Sequence, residues 1–276
     1  MIQEIIMIIR LSLLELLAFT GPVLFIGLLL GQMEQLSNNY LQRSFGRKAL
    51  LLTAWIGVPV HEVGHLLMCW LFGHRVRKVK LLDLRSDDGT LGYVHHSYDR
   101  SSLFQSIGNF FIGIGPILSG NIFLIVSMYI LLPELFSSFS GQLSAFTGDS
   151  RPFLYILPAS LELLSSLIAN MLDPANLANP IFWVYIFLAL GVSAHIALSR
   201  ADLKGAARGL PVMFMILIFA NSLIFVLYDS TPDATSEIFR YNIYLLGFSI
   251  LSMFFSAINL ALAYTAWSLK KRTSLF

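Results

Sequence analysis

The sequence predicts an all-α polytopic membrane protein, on the basis of its composition and its long runs of apolar residues. Of the 276 residues, 56% are hydrophobic and only 12% are charged, and the mean hydropathy is +0.73. These values are far from those of a soluble domain. Membrane spans and short loops account for the length of the chain and leave no room for a separate soluble domain. We therefore expect residues 1–276 to form a single membrane-embedded domain.

Six segments are long and apolar enough to cross the ~30 Å hydrocarbon core as helices. They are residues 11–31, 49–73, about 104–132, 181–199, 210–228 and 241–269. Residues 154–172 are apolar but carry Pro158, Glu162 and three serines, so we interpret them as an amphipathic or re-entrant element. With six spans, 13 of the 18 Lys and Arg lie on the side of both termini. The excess of basic residues in cytoplasmic loops then predicts a multi-pass protein of a bacterial-type cell membrane with both termini cytoplasmic.

The first span contains an acidic residue, Glu15, and the second contains a proline, Pro59. We place Glu15 of the first span near the membrane interface, with a buried polar contact as the alternative. A polar connector follows at residues 32–48. In the second span Pro59 lacks a backbone donor and clashes with the preceding turn, which predicts a break or kink. A break would admit water to the middle of this span, and a kink that serves packing alone is the alternative.

The polar segment after the second span predicts a β-hairpin at residues 76–94. Its first arm alternates in part, and Asp87-Asp88-Gly89 is a turn signal. The basic residues of this arm suit a strand at the membrane surface. His95 and His96 would face opposite ways on a strand, and we interpret both as surface residues.

The third span is rich in small residues. It contains Gly113-Ile114-Gly115-Pro116, and small residues in a membrane helix predict the close approach of a neighbouring helix. Asn109 and Asn121 are polar residues in this apolar run. We favour interhelical hydrogen bonds for both over contacts with a substrate.

The second span carries the pattern His-Glu-x-x-His at His61, Glu62 and His65. A chain of this composition would contain it by chance roughly three times in a thousand. Residues four apart share a helix face, so His61 and His65 can bind one Zn²⁺, and Glu62, about 100° round, can reach a water molecule there. These are the ligands and base of a zinc peptidase. The alternative is a structural hydrogen-bonded cluster, which the cost of ionisable side chains at membrane depth disfavours.

A catalytic zinc ion needs a third protein ligand. His195, Ser199 and Asp202 are spaced four and three apart, so one continuous helix would place them in one stripe. We predict that Asp202 is the third ligand, with Ser199 and His195 as its supporting partners. Asp173 is the alternative ligand, and a surface position for Asp202 in the 200–209 loop is the alternative interpretation.

These features resemble the site-2 protease family of intramembrane zinc metalloproteases over residues 50–205. The shared features are the His-Glu-x-x-His span, a Gly-x-Gly-Pro sequence in the next span and a later aspartate. The resemblance implies that His61 and His65 bind zinc, that Glu62 is the general base, and that β-structure after the motif helps to present the substrate. In place of the family's usual Asn-x-x-Pro-x-Pro-x-x-Asp-Gly run this chain has Ser199-Arg200-Ala201-Asp202-Leu203-Lys204-Gly205. We therefore expect a divergent member without a PDZ domain.

The leading hypothesis for function is hydrolysis of peptide bonds in membrane-spanning substrates by a zinc metalloendopeptidase. Its cofactor would be Zn²⁺, and its partners a transmembrane protein substrate and the lipid bilayer. The net charge of +2 gives no indication of a nucleic-acid partner. One alternative is a non-catalytic membrane scaffold or chaperone of the same fold. The other is a transporter that uses the same residues to handle protons or metal ions.

Overall fold

The computed structural model of the protein describes residues 2–84, 90–148, 156–229 and 235–273. In these ranges the chain is mostly helical with one small antiparallel sheet, so the predicted helical architecture with a hairpin after the motif helix is confirmed at this level. The helices are α1 (Ile2–Phe45), α2 (Leu51–Leu71), α3 (Leu103–Leu131), α4 (Pro133–Gly148), α5 (Ile156–Met171), α6 (Pro174–Ala178), α7 (Pro180–Ser193), α8 (Arg200–Ala207), α9 (Leu210–Tyr228) and α10 (Thr235–Thr273). The strands are β1 (Arg75–Lys80) and β2 (Tyr93–Ser97).

Five helical segments of the described chain are long and apolar enough to cross a membrane, which is compatible with a multi-pass membrane protein. They are Ile2–Phe45, Lys48–Leu71, Leu103–Leu131, Arg200–Tyr228 and Tyr244–Arg272. The span predicted at residues 181–199 is instead the 14-residue helix α7 followed by an irregular segment at residues 194–199. At 1.5 Å per residue, α7 is about 21 Å long, which is shorter than the hydrocarbon core.

The segment predicted to be amphipathic at residues 154–172 forms α5. Leu163, Leu167 and Met171 recur every fourth residue and are buried in a cluster with side chains of α3, α4, α7 and α10. Spacing by four places these side chains on one face of α5. This face therefore packs onto the main core of the molecule.

The two longest helices, α1 and α10, run parallel to each other. Asn242 of α10 donates a hydrogen bond to the carbonyl of Ala18, at 2.5 Å. Further along both helices, Ser37 donates to the carbonyl of Asn259, at 3.4 Å. Residues 2 and 273 therefore lie at opposite ends of this pair. Both termini would share one side of the membrane, as expected, only if the number of crossings were even.

Two expectations for α1 are wrong. The residues predicted to form a polar connector at 32–48 continue α1 as far as Phe45. Glu15 is only 3% exposed and accepts a hydrogen bond from the Asn221 side chain of α9, at 2.7 Å. Glu15 therefore makes a buried polar contact. Burial of a carboxyl group without such a partner would be strongly destabilising.

Helix α2 is continuous through Pro59, so the predicted break is wrong and the packing alternative remains. Its contact with α3 depends on two glycines. A Cβ atom at Gly64 would lie 2.5 Å from the carbonyl oxygen of Gly115, and a Cβ atom at Gly115 would lie 2.7 Å from that of Gly64. The predicted close approach at the Gly-x-Gly-Pro sequence is confirmed. Asn121 of α3 also makes the expected interhelical hydrogen bond, to Ser249 of α10 at 3.0 Å.

Strands β1 and β2 form the predicted hairpin. They pair antiparallel with Val76 opposite His96 and Val79 opposite Val94, and the register shifts between Val76 and Lys78. The predicted turn at Asp87-Asp88-Gly89 lies outside the described residues. Strand β1 is largely exposed, whereas β2 is mostly half-buried, and both strands contact α2.

Candidate metal centre

A polar cavity of about 690 Å³ opens between α2, α3, α8 and the hairpin. All four predicted site residues line it, together with residues of β2 and its approach. The lining also includes Asn109, Gly113 and Arg208 of the surrounding helices. His61 and Asp202, which are 141 positions apart in the sequence, therefore share one water-accessible space.

His61, His65 and Asp202 form a group that could hold a metal ion, and their candidate ligand atoms all lie within 4.8 Å of one another. The Nε2 atoms of His61 and His65 are 3.2 Å apart. Asp202 places Oδ1 3.2 Å from His65 Nε2 and Oδ2 3.6 Å from His61 Nε2. The structure thus brings together the three residues that the sequence predicts as metal ligands.

Hydrogen bonds to backbone carbonyls orient both imidazoles. His61 Nδ1 lies 2.8 Å from the carbonyl oxygen of His195, and His65 Nδ1 lies 2.7 Å from that of Ile112. A carbonyl oxygen only accepts, so each Nδ1 carries a hydrogen and each neutral ring has its lone pair on Nε2. Both lone pairs therefore face Asp202. Hydrogen bonds of this kind fix the tautomer and orientation of metal-binding histidines.

The donor set fits zinc. Tetrahedral zinc with bonds of about 2.0–2.1 Å to nitrogen or oxygen separates its ligand atoms by about 3.3 Å. The two Nε2 atoms are 3.2 Å apart and Asp202 Oδ1 lies 3.2 Å from His65 Nε2, and both separations match this value. Two lone pairs and a carboxylate that converge in this way also repel each other unless a metal ion or a proton lies between them.

Asp202 reaches the group from the first turn of α8. The Ser199 hydroxyl accepts a hydrogen bond from the Asp202 N–H at 3.1 Å, and the Ser199 N–H donates to Asp202 Oδ2 at 2.7 Å. This reciprocal capping box holds the carboxylate in place. Gly113 of α3 allows the close approach, because a Cβ atom there would lie 2.6 Å from the Asp202 carbonyl oxygen. Ser199 is thus the predicted partner of Asp202.

The predicted single helical stripe of His195, Ser199 and Asp202 is wrong, because the chain leaves the helical conformation between α7 and α8. Only the backbone carbonyl of His195 contacts a ligand residue. Its ring turns away, with Nε2 3.0 Å from the Thr53 hydroxyl and Nδ1 3.7 Å from a Glu34 carboxylate oxygen. Asp173, the alternative ligand, instead caps α6 through its side chain and does not join the group.

Glu62 lies in the same cavity, next to the ligand group but not part of it. It is 7% exposed. Gly92, just before β2, packs on this side chain: a Cβ atom at Gly92 would lie 2.8 Å from Glu62 Cγ. Gly92 is a residue that the sequence reasoning missed. A glycine inside a strand-like run is itself a signal of close backbone approach, and this signal could have identified it.

His95 and His96 both line the cavity; His95 is exposed as expected, whereas His96 is half-buried, so its assignment as a surface residue is wrong. His96 Nδ1 lies 2.9 Å from His74 Nδ1, and His74 Nε2 lies 2.7 Å from the carbonyl oxygen of Gln105. Burial, followed by the nearby His74, lowers the pKa of His96 to about 4. Burial also lowers the pKa of His74. Both rings are therefore neutral near pH 7.

No family model, curated protein or solved structure matches this chain. A functional assignment therefore depends on the geometry and chemistry of the cavity.

Proposed function

We propose that this protein is an intramembrane zinc metalloendopeptidase that resembles the site-2 protease family and cleaves membrane-spanning protein substrates. One observation carries the proposal: two oriented imidazoles, a carboxylate and a separate glutamate meet in one polar cavity at the apolar helix α2. Ionisable groups at such depth are costly and are characteristic of functional sites. A His-Glu-x-x-His helix with a third ligand is the donor arrangement of zinc peptidases.

His61, His65 and Asp202 would hold the zinc ion, and Glu62 would act on the reacting water. The ion, when bound, acts as a Lewis acid toward the scissile carbonyl and makes a water molecule more acidic. Glu62 would take the proton from this water on a carboxylate oxygen and deliver it to the leaving nitrogen. Gly92 supports this role, because its contact restricts the position of the Glu62 side chain.

The substrate would enter between β2 and α8. A transmembrane helix must unwind locally before cleavage, because its carbonyls are engaged in helical hydrogen bonds. The cavity of about 690 Å³ has room for an extended segment along β2, and strand addition is a common way to hold such a segment. We place the protein in the bilayer with five crossings, one for each long apolar segment of the described chain.

The decisive experiment is substitution of Glu62. Glu62→Gln should bind zinc as the wild type does and should not hydrolyse peptides, because this carboxylate acts on water and does not belong to the ligand group. Purified variants would be assayed for zinc content and for cleavage of co-reconstituted single-span proteins. Glu162→Gln on the exposed part of α5 is the matched control and should retain activity.

The outcome also separates the alternative functions. Cleavage by Glu62→Gln at the wild-type rate would contradict the assigned base. Zinc binding by a wild-type protein that cleaves no single-span substrate would favour a scaffold. Metal or proton flux across vesicles that Glu62→Gln abolishes would favour a transporter.

A further inference from the structure

The hydrogen-bond chain that begins at His96 determines which ring nitrogens carry hydrogens. The carbonyl of Gln105 only accepts, so His74 donates to it through Nε2, at 2.7 Å. The neutral His74 ring then has its lone pair on Nδ1. The Nδ1 atoms of the two rings are 2.9 Å apart, so His96 must supply the hydrogen of this bond. The neutral His96 ring is therefore left with its lone pair on Nε2.

This Nε2 atom has no hydrogen-bond partner among the described residues, and its residue lines the cavity. Asn121 Oδ1 and Tyr185 Oη are the buried side-chain polar atoms without a hydrogen-bond partner in the described part of the chain. His96 Nε2 is not among them, forms no hydrogen bond within the described residues, and belongs to a residue that lines the cavity. It therefore offers an acceptor to a bound molecule, in the space that also contains the candidate metal centre.

The groups around His96 favour the neutral ring. His74, His65, Arg208 and His95 are the titratable or charged groups that act on it, and each of them disfavours a positive charge on His96. The Tyr98 ring stacks on His74 from the side of the following loop. A neutral ring with Nδ1 already engaged can accept a hydrogen bond at Nε2 but cannot donate one there.

We propose that His96 Nε2 accepts a hydrogen bond from a backbone N–H of an extended peptide bound in the cavity, and that His74 is the positioning residue that fixes His96 in this tautomer. The inference rests on the proposed peptidase function, since it takes the ligand to be a peptide. An extended peptide beside β2 presents a backbone N–H at every second residue along one edge. His96 belongs to β2 and lines the cavity, so its ring meets an N–H group of the peptide that the β2 backbone does not engage.

The first test measures binding of a peptidyl hydroxamate, a probe with a zinc-binding group and backbone N–H groups. His96→Leu should weaken binding about 3- to 10-fold, the usual effect of one lost hydrogen bond between neutral groups. His96→Gln should weaken it less, because the glutamine carbonyl can accept. Arg75→Gln on β1 is the control, since this exposed side chain does not line the cavity, and it should leave binding unchanged.

The same series with N-methylated probes identifies the interaction. Each backbone amide of the hydroxamate is methylated in turn, which removes one donor at a time. One methylated probe should bind wild type and His96→Leu equally, because the bond is already missing. If every methylated probe loses affinity in His96→Leu as the parent does, or if zinc content falls in that variant, His96 has a structural role only and the proposal is wrong. A zinc-loaded wild type that binds no hydroxamate would instead contradict the peptidase function.

The second test determines the tautomer of His96 directly and does not depend on hydrolysis. Nitrogen NMR of ¹⁵N-histidine-labelled protein in lipid nanodiscs, with His96 assigned by loss of its signals in His96→Gln, should show Nδ1 protonated and Nε2 unprotonated at about pH 7. His74→Leu should remove this preference. A protonated Nε2 in the wild type would overturn the inference even if the protein is a peptidase.

Discussion

At the scale of single residues, the metal centre depends on the position of Asp202. With Asp202 as a ligand, a zinc site would carry one formal positive charge, whereas three neutral imidazoles would leave two. A single charge is easier to bury. Ser199 holds this carboxylate through the capping box of α8. The candidate ligand Asp202 and Ser199, which positions it, therefore both belong to the N-terminal capping box of α8.

Substitution of Asp202 should remove the metal. Asp202→Ala should lose zinc and activity, because two imidazoles remain. Ser199→Ala should keep the ligand but reduce zinc affinity or activity about 10- to 100-fold, the usual effect of losing a hydrogen bond to a metal ligand. Asp173→Ala is the matched control, since it removes the side-chain cap of α6 outside the ligand group.

Zinc content and cleavage rate in the purified variants measure these effects. His195→Ala should be milder than Asp202→Ala, because the contact of His195 with His61 is made by its backbone carbonyl. Full zinc occupancy and full activity in Asp202→Ala would contradict the assignment of Asp202 as a metal ligand.

The His74–His96 pair should make stability depend on pH. The folded state holds the pKa of His96 at about 4, below the ordinary value of 6.5. An unfolded chain therefore binds a proton at this residue more readily, so stability is complete above about pH 6.5 and falls as the pH drops toward 4. His74, with its pKa also lowered, adds in the same direction.

Thermal unfolding of the metal-free protein between these two pH values checks this dependence. The metal-free form is used because acid also releases zinc from histidines. In His96→Gln the loss of stability over the same range should be smaller than in the wild type, and His95→Gln should behave as the wild type. Equal pH dependence of wild type and His96→Gln would contradict the lowered pKa.

At the scale of elements, α2 is held in place by its contact with α3. The backbones of Gly64 and Gly115 are in contact, and Gly64 directly precedes His65. The Ser119 hydroxyl of α3 adds a hydrogen bond to the Val60 carbonyl, at 2.8 Å. The packing of these two helices therefore sets the position of the motif.

Gly64→Ala should destabilise the protein. Its Cβ atom would meet the Gly115 backbone at 2.5 Å, and overpacking of this kind costs about 1–3 kcal/mol. Gly21→Ala in α1 is the matched control, because its Cβ atom has no neighbour within 4 Å and alanine favours the helix by about 0.5–1 kcal/mol. Thermal unfolding in detergent should show a lower transition for Gly64→Ala than for the wild type. An unchanged transition would mean that the two helices can separate freely.

Most features that the sequence predicted correctly are local; Asp202 is an exception, because the need of a zinc ion for a third ligand pointed to it. His61 and His65 share a helix face by spacing alone, and the hairpin follows from alternation within a short segment. The errors concern contacts between distant parts of the chain. The burial of Glu15 depends on Asn221, 206 positions later, and that of His96 depends on His74 across the hairpin. The predicted stripe at His195 assumed a continuous helix, but capping by Ser199 starts a new one.

At the scale of the whole molecule, α1 and α10 form a parallel frame along which the other helices pack. The prediction that the termini share one side used the distribution of basic residues, and that distribution depends on which segments are counted as loops. It treated residues 200–209 as a loop between two antiparallel spans. In the structure residues 200–207 form α8, which packs on α3 and precedes the apolar helix α9 within the span candidate Arg200–Tyr228, one of five in the described chain. The proposed five crossings, an odd number, would place the termini on opposite sides.

Cysteine labelling can decide between these two topologies. In a Cys69→Ser background, Gln3→Cys and Thr273→Cys would be treated in intact cells with a thiol reagent that does not cross membranes. One of the two should react and the other should react only after permeabilisation, because α1 and α10 run parallel. Arg100→Cys, in the loop after the hairpin, should follow Gln3, since α2 starts near the end of α1 and returns toward its first half. Equal reactivity at positions 3 and 273 would favour six crossings and contradict the parallel frame.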